Sequence, residues 1–253
     1  MKKILLLSAS MLAGAALCAS GQGRITVDTG TKGHDIRPSM YGIFFEEINH
    51  SGDGALYAEM IQNRGFEEHR LPSGCTYADG LAVAPQGVTG WNDMSIHNWT
   101  TPWDIEAKKY TAWSVIGNGC TVTREVKEMA SPLDANTPNA MQLVITASGA
   151  GANAALVNEG YWGIAVQDGA KYDLRFYLRT SDYTGKVTAA VCDNAGNPVG
   201  KVELDVNKNG AWNEYTGVIT ADRTINDGTF QLQFSGNGTI DVDYVSLFPQ
   251  DTF

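Results

Sequence analysis

Glu46 and Glu47 stand side by side at the end of a nearly continuous apolar run, Met40-Tyr-Gly-Ile-Phe-Phe-Glu-Glu-Ile48. Carboxylates so placed can serve as acid, base, nucleophile or hydrogen-bond acceptor. Retaining hydrolysis of a glycosidic bond needs two carboxyl groups about 5 Å apart. Neighbours on one strand point to opposite faces, so Glu46 and Glu47 cannot both meet one substrate. The plainer role for the pair is to cap the strand or to form a local salt bridge. A second chemistry is sugar binding, in which aromatic rings stack on sugar faces while amides, carboxylates and guanidiniums take the hydroxyls. Arg175, Tyr177, Arg179, Gln231 and Gln233 have suitable types on strand faces, and Trp91, Trp99 and Trp103 cluster in a loop-rich stretch. The plainer readings here are a solvated sheet face and core packing. Asn213-Glu214 lies in a strand pattern and is rejected as a catalytic pair. There is no Gly-x-Ser-x-Gly elbow, phosphate loop or zinc motif, and no cofactor is called for.

The elements that would hold these residues fall into two groups. Residues 24–66 begin with Arg24-Ile-Thr-Val-Asp28, which alternates like a short strand. The run from Met40 suits a strand buried on both faces, as in a parallel sheet. After a polar loop, Ala55 to Arg64 places Leu56, Met60 and Ile61 at helical spacing, with Glu59 and Gln62 on the other side. One βα unit cannot close a parallel sheet or barrel by itself. From Trp91 onward, short alternating strands are separated by Gly, Asn, Asp and Pro turns. Inward sets are Tyr172, Leu174, Phe176 and Leu178; Val202, Leu204 and Val206; Phe230, Leu232 and Phe234; and Ile240, Val242 and Tyr244. Trp162 shares parity with Ile164 and Val166 and is assigned to the core, and Trp212 to packing. This spacing argues for a two-sheet sandwich of jelly-roll type. Residues 68–90, the least regular, read as its loop-rich entry.

Met40-Tyr-Gly-Ile-Phe-Phe-Glu-Glu-Ile-Asn-His50 followed by Gly52-Asp-Gly-Ala-Leu-Tyr-Ala-Glu-Met-Ile-Gln-Asn-Arg-Gly-Phe-Glu67 closely resembles the opening of glycoside hydrolase family 51 α-L-arabinofuranosidases. Asn158-Glu-Gly-Tyr-Trp-Gly-Ile164 and Asp243-Tyr-Val-Ser-Leu-Phe-Pro249 also fit the large, domain-inserted members of that family. The resemblance covers essentially the whole chain after residue 21, but only the N-terminal part of the family's length. It implies a mainly β fold, a jelly-roll β-sandwich preceded by one orphan βα unit of an incomplete (β/α)8 barrel. The expected domains are a signal peptide over 1–21, the strand and βα unit over 24–66, a carbohydrate-binding-type sandwich over 67–248, and a stub at 249–253 where the barrel would resume. The resemblance implies that Glu46 hydrogen-bonds the arabinofuranose at the scissile bond, as a substrate-binding group and not as acid or nucleophile. The family's two catalytic glutamates lie on later barrel strands, so this chain alone is expected to be inactive. The implied partner is an arabinose-containing plant polysaccharide, with the missing barrel as a possible separate chain. A non-catalytic glycan-binding protein and a structural or adhesive sandwich are the alternatives. Without the barrel, the apolar residues of 38–66 must pack on the sandwich, find a partner or stay exposed, and poor solubility or low order is expected there.

The first twenty residues point to export. Lys2 and Lys3, an apolar stretch from Ile4 to Leu17 and small residues around Gly21 read as a signal peptide. Lipid attachment at Cys18 is the second choice, because Leu17 replaces the small residue that a lipobox wants before it. A periplasmic or extracellular location follows. The net charge of −10 and pI of about 4.8 argue against nucleic-acid binding. No apolar run reaches the roughly 20 residues of a membrane span. Cys75, Cys120 and Cys192 remain after cleavage. Cys75 and Cys120 could pair in an oxidising compartment, while Cys192 reads as a small buried hydrophobe. No Cys or His spacing suggests a metal.

Overall fold

The structure, a computed structural model, describes residues 25–31, 33, 35, 46, 49–85, 100–147, 149 and 151–251. The expected signal segment, Trp91, Trp99, Glu47 and nearly all of the apolar run from Met40 lie outside the described residues. The chain divides into two units, Met1–Phe45 and Glu46–Phe253. In the first, residues 25–28 do not form the expected strand, and Ile25 and Val27 are exposed. No ladder partner for them occurs among the described residues, and a strand without one leaves its backbone donors and acceptors to water. The Asp28 carboxylate instead closes a turn, accepting from the Gly30 N–H at 2.9 Å and the Thr31 hydroxyl at 2.6 Å.

The second unit is a sandwich of two five-stranded antiparallel sheets. Its strands are β4 (Trp113–Asn118), β5 (Cys120–Glu128), β6 (Asn139–Ala147), β7 (Asn153–Asn158), β8 (Lys171–Arg179), β9 (Lys186–Cys192), β10 (Pro198–Asp205), β11 (Asn213–Thr220), β12 (Thr229–Phe234) and β13 (Gly238–Pro249). One sheet runs β10-β9-β12-β7-β4, the other β11-β8-β13-β6-β5. Residues 68–90, expected to be a loop-rich entry, contain two strands of a small sheet whose third strand follows at Thr100. Its strands β1 (Thr76–Ala78), β2 (Leu81–Val83) and β3 (Thr100–Pro102) are antiparallel neighbours. Asp79-Gly80 at positive φ makes the tight turn between β1 and β2. One short helix, α1 (Ile105–Lys109), follows and is capped by Asp104, whose carboxylate accepts from the Ala107 N–H at 2.9 Å.

Alternation decides which residues meet in the middle. On β8, Tyr172, Leu174, Phe176 and Leu178 are buried, while Asp173 and Arg175 are exposed. Phe230, Leu232 and Phe234 of β12 are fully buried and join them in one core with Met141, Leu143 and Leu156. Val202 and Leu204 on the edge strand β10, and Val206 just after it, are only half-buried, as an edge position allows. The expected Ile240, Val242 and Tyr244 set breaks at its third member. A bulge between Asp243 and Ser246 puts Tyr244 at φ 51° and shifts the parity, so Val245 and Leu247 are the inward residues.

Residues 49–66 pack on this sandwich, so the boundary expected after residue 66 falls inside the second unit. No helix forms over 55–64. The Met60 N–H donates to the Leu247 carbonyl at 3.1 Å, and the Val245 N–H to the Arg64 carbonyl at 3.0 Å. Glu59, expected to face outward, is buried and organises the junction. Its carboxylate accepts from the Ile61 and Leu247 N–H groups, each at 3.0 Å, and from the Ser246 hydroxyl at 2.6 Å. These bonds to the β13 bulge replace the i−4 bonds of a helix. Ile61 and Phe66 then enter the core, with Met60 packed against it, while Leu56 stays 73% exposed. The helical stripe read from the sequence is therefore split.

Candidate functional site

The residues singled out on strand faces lie on opposite sides of the sandwich and cannot form one site. Arg175, Tyr177 and Arg179 project from β8 on the outer face of one sheet. Gln231 and Gln233 project from β12 on the outer face of the other. There Gln233 donates to the Gln231 side-chain oxygen at 2.9 Å, Gln231 to the Thr229 hydroxyl at 3.3 Å, and Gln231 is buried.

On the β8 face, Arg179 is committed to a network. Its Nε and Nη2 donate to one Asp241 oxygen at 3.0 and 2.8 Å, and its Nη1 to the Ser131 carbonyl at 2.8 Å. The guanidinium lies 4.8 Å from the Trp212 ring centroid, and the Trp212 indole also donates to the Ser131 carbonyl. The other Asp241 oxygen accepts from Gln142, which in turn accepts from Lys127. Tyr177 donates to Glu214 at 3.0 Å, and burial, then the Glu214 carboxylate, push its phenol up. Across from Tyr177 on β13, Asp243 is almost fully buried, and desolvation pushes its carboxyl up to about 8. Among the described residues no group of three or more His, Cys, Asp or Glu side chains is arranged to hold a metal ion.

Arg175 is different. Its side chain is about half exposed, and among the described residues its one ion pair is to Glu214 at 3.8 Å. It lines a cleft of about 570 Å3 across β8, β11 and β13. Tyr57 and Phe248 form the aromatic wall, with ring centroids 5.3 Å apart and tilted by 54°. Asp173 and Thr216 supply a carboxylate and a hydroxyl, while the Ser246 hydroxyl at the cleft wall donates to Glu59. Arg64 fixes Tyr57 from behind, donating to its hydroxyl at 3.2 Å with the guanidinium 5.3 Å from the ring centroid. Aromatic surface beside a cation, a carboxylate and hydroxyls is the equipment for holding a sugar ring. The sequence reading missed Tyr57, which it put on a helix, and Phe248, which the bulge brings outward.

Glu46 is exposed. Trp103 is half-buried, donates to the His69 carbonyl at 3.0 Å and carries the Lys108 ammonium 4.3 Å from its ring centroid. Trp162 overturns its core assignment, being 66% exposed in the turn after β7. Parity with Ile164 holds only on a strand, and Gly160 and Gly163, both at positive φ, make this stretch a turn. Cys75, Cys120 and Cys192 are all free thiols. Cys192 is buried, and that burial pushes its thiol up to about 11. No described helix is long and apolar enough to cross a membrane.

No family model matches the chain. Individual relatives do. The chain is 33% identical over 230 residues to an extracellular exo-α-L-arabinofuranosidase of Streptomyces chartreusis, covering 90% of this chain and 22% of the relative. It is 28% identical over 227 residues to α-L-arabinofuranosidase 2 of Arabidopsis thaliana, covering 86% of this chain and 28% of the relative. In fold it matches an arabinose-bound family-51 α-L-arabinofuranosidase with a TM-score of 0.62 and 25% identity, over 84% of this chain and 30% of that one. The chain thus spans less than a third of the length of the curated relatives it matches.

Proposed function

We propose, from the premise that this chain resembles the N-terminal part of family-51 α-L-arabinofuranosidases, that its sandwich is the glycan-contacting portion of a secreted arabinofuranosidase-type hydrolase. The likeness in sequence and fold extends across the sandwich, and the Tyr57–Arg175–Phe248 cleft is the observation that carries the reading. The reaction served is retaining release of terminal α-L-arabinofuranosyl groups from arabinan or arabinoxylan. Glu46 would hold the arabinofuranose at the reacting bond. The described residues are assigned binding and positioning, not bond cleavage. Carboxylates dominate the charge of the chain, so neutral polysaccharide suits it better than anionic glycans. A basic start followed by an apolar stretch in the first twenty residues, and a relative named as extracellular, support export.

In the cleft, one sugar face would stack on Tyr57 and Phe248. The ring hydroxyls would donate to Asp173 and accept from Arg175. Calorimetric titration of the chain with arabinan- and arabinoxylan-derived oligosaccharides tests this. Binding is expected, weakened at least fivefold by Arg175→Ala or Tyr57→Ala. Absence of binding to any of these glycans would overturn the reading.

A further inference from the structure

The geometry points to a second carbohydrate site at the end of the sandwich, built on Trp162 and separate from the Tyr57 cleft; it rests on the glycan-binding reading above. Trp162 is a large aromatic side chain, 66% exposed, and it stands between two hollows. Its position is fixed from below. Asn158, fully buried, donates to the Gln62 carbonyl at 2.9 Å and accepts from the Gly160 N–H at 2.8 Å. The turn closes through the Gly163 N–H to the Glu159 carbonyl, and Ile164 and Gly228 exchange backbone bonds at 2.8 and 3.0 Å. His50 packs edge-on at 5.5 Å from the Trp162 centroid, and Tyr161 lies 4.8 Å from His50. A turn whose backbone is fixed in this way presents the ring at a set position, which lowers the ordering cost of stacking on it.

The larger hollow, about 480 Å3, supplies the polar half of the site. Glu159 and Asp227 present exposed carboxylates, and Asn194 donates to Asp227 at 3.1 Å while keeping its own oxygen free of that bond. Gln62 and Thr229 complete the rim. Gly163, at φ 90°, allows the close approach, since a Cβ there would stand 2.5 Å from an Asp227 carboxylate oxygen. The volume falls within the roughly 300–1,000 Å3 of small-molecule sites. Acceptors predominate and no lysine or arginine lines the hollow. The ligand that fits is therefore a neutral sugar ring, its apolar face on the indole and its hydroxyls donating to Glu159 and Asp227. Uronic acids would be repelled.

The test follows the Trp162 indole N–H in proton–nitrogen NMR spectra of the full chain, assigned by its loss in Trp162→Phe. Arabinofuranosyl oligosaccharides are expected to shift that signal, and galacturonic acid oligomers to leave it in place. Glu159→Gln should raise the half-saturating concentration several-fold, and Trp162→Ala should weaken binding at this end at least tenfold. Arg175→Ala should leave the Trp162 response intact. A Trp162 signal that stays still while Arg175-dependent binding persists overturns the second site and leaves the cleft standing. No binding of any arabinofuranosyl oligosaccharide overturns both.

Discussion

The β8 face around Arg179 and the turn around Trp162 contain similar chemistry and put it to opposite uses. Both pair an aromatic ring with carboxylates and amides. Around Arg179 every partner is already taken: guanidinium to carboxylate, carboxylate to amide, amide to ammonium, indole to carbonyl. Around Trp162 the ring and two carboxylates face solvent beside a hollow. Residue type alone therefore does not mark a ligand site. What marks it is polar capacity left over once the fold has been satisfied.

The largest effect is expected at the Glu59 junction with β13. Glu59→Ala leaves two buried backbone donors without their acceptor and should destabilise the unit by about 3 kcal/mol in urea unfolding. Arg179→Ala strands Asp241, whose side chain is 10% exposed, and should cost about 2 kcal/mol with little effect on glycan binding. His69 sharpens the point about spent capacity. Its Nδ1 is buried without a hydrogen-bond partner, and desolvation holds its pKa below the usual histidine value. The folded state thus binds fewer protons than the unfolded one near and below pH 6.5, so stability falls as pH drops through that range. His69→Gln should remove this acid-side loss in thermal melts across pH 5–7. Trp162→Ala should change stability by no more than about 0.5 kcal/mol, because the residue is 66% exposed and only ring contacts with His50 and Tyr161 are lost.

Much of the sandwich was legible because period-two alternation is a direct record of burial. Strand β8 was read almost to the residue, and so was the inward set of β12. Three things were not legible. The Asp243–Ser246 bulge inserts extra residues into one strand, which reverses parity without any signal in the hydrophobic pattern. Glu59 read as a solvent-facing helical residue, since nothing local reveals that two donors from far along the chain, Ser246 and Leu247, join the nearby Ile61 N–H on its carboxylate. Trp162 was placed by a strand rule inside a turn, although Gly160 and Gly163 on either side were available to correct it. The cleft joins Tyr57, Arg175 and Phe248 from three separate parts of the chain, so no spacing motif announces it.

Affinity electrophoresis of the full chain through native gels containing arabinan or arabinoxylan tests the central claim most directly. The account predicts retarded migration relative to gels without polysaccharide, and no retardation by polygalacturonate. Equal mobility in all of these gels would contradict it.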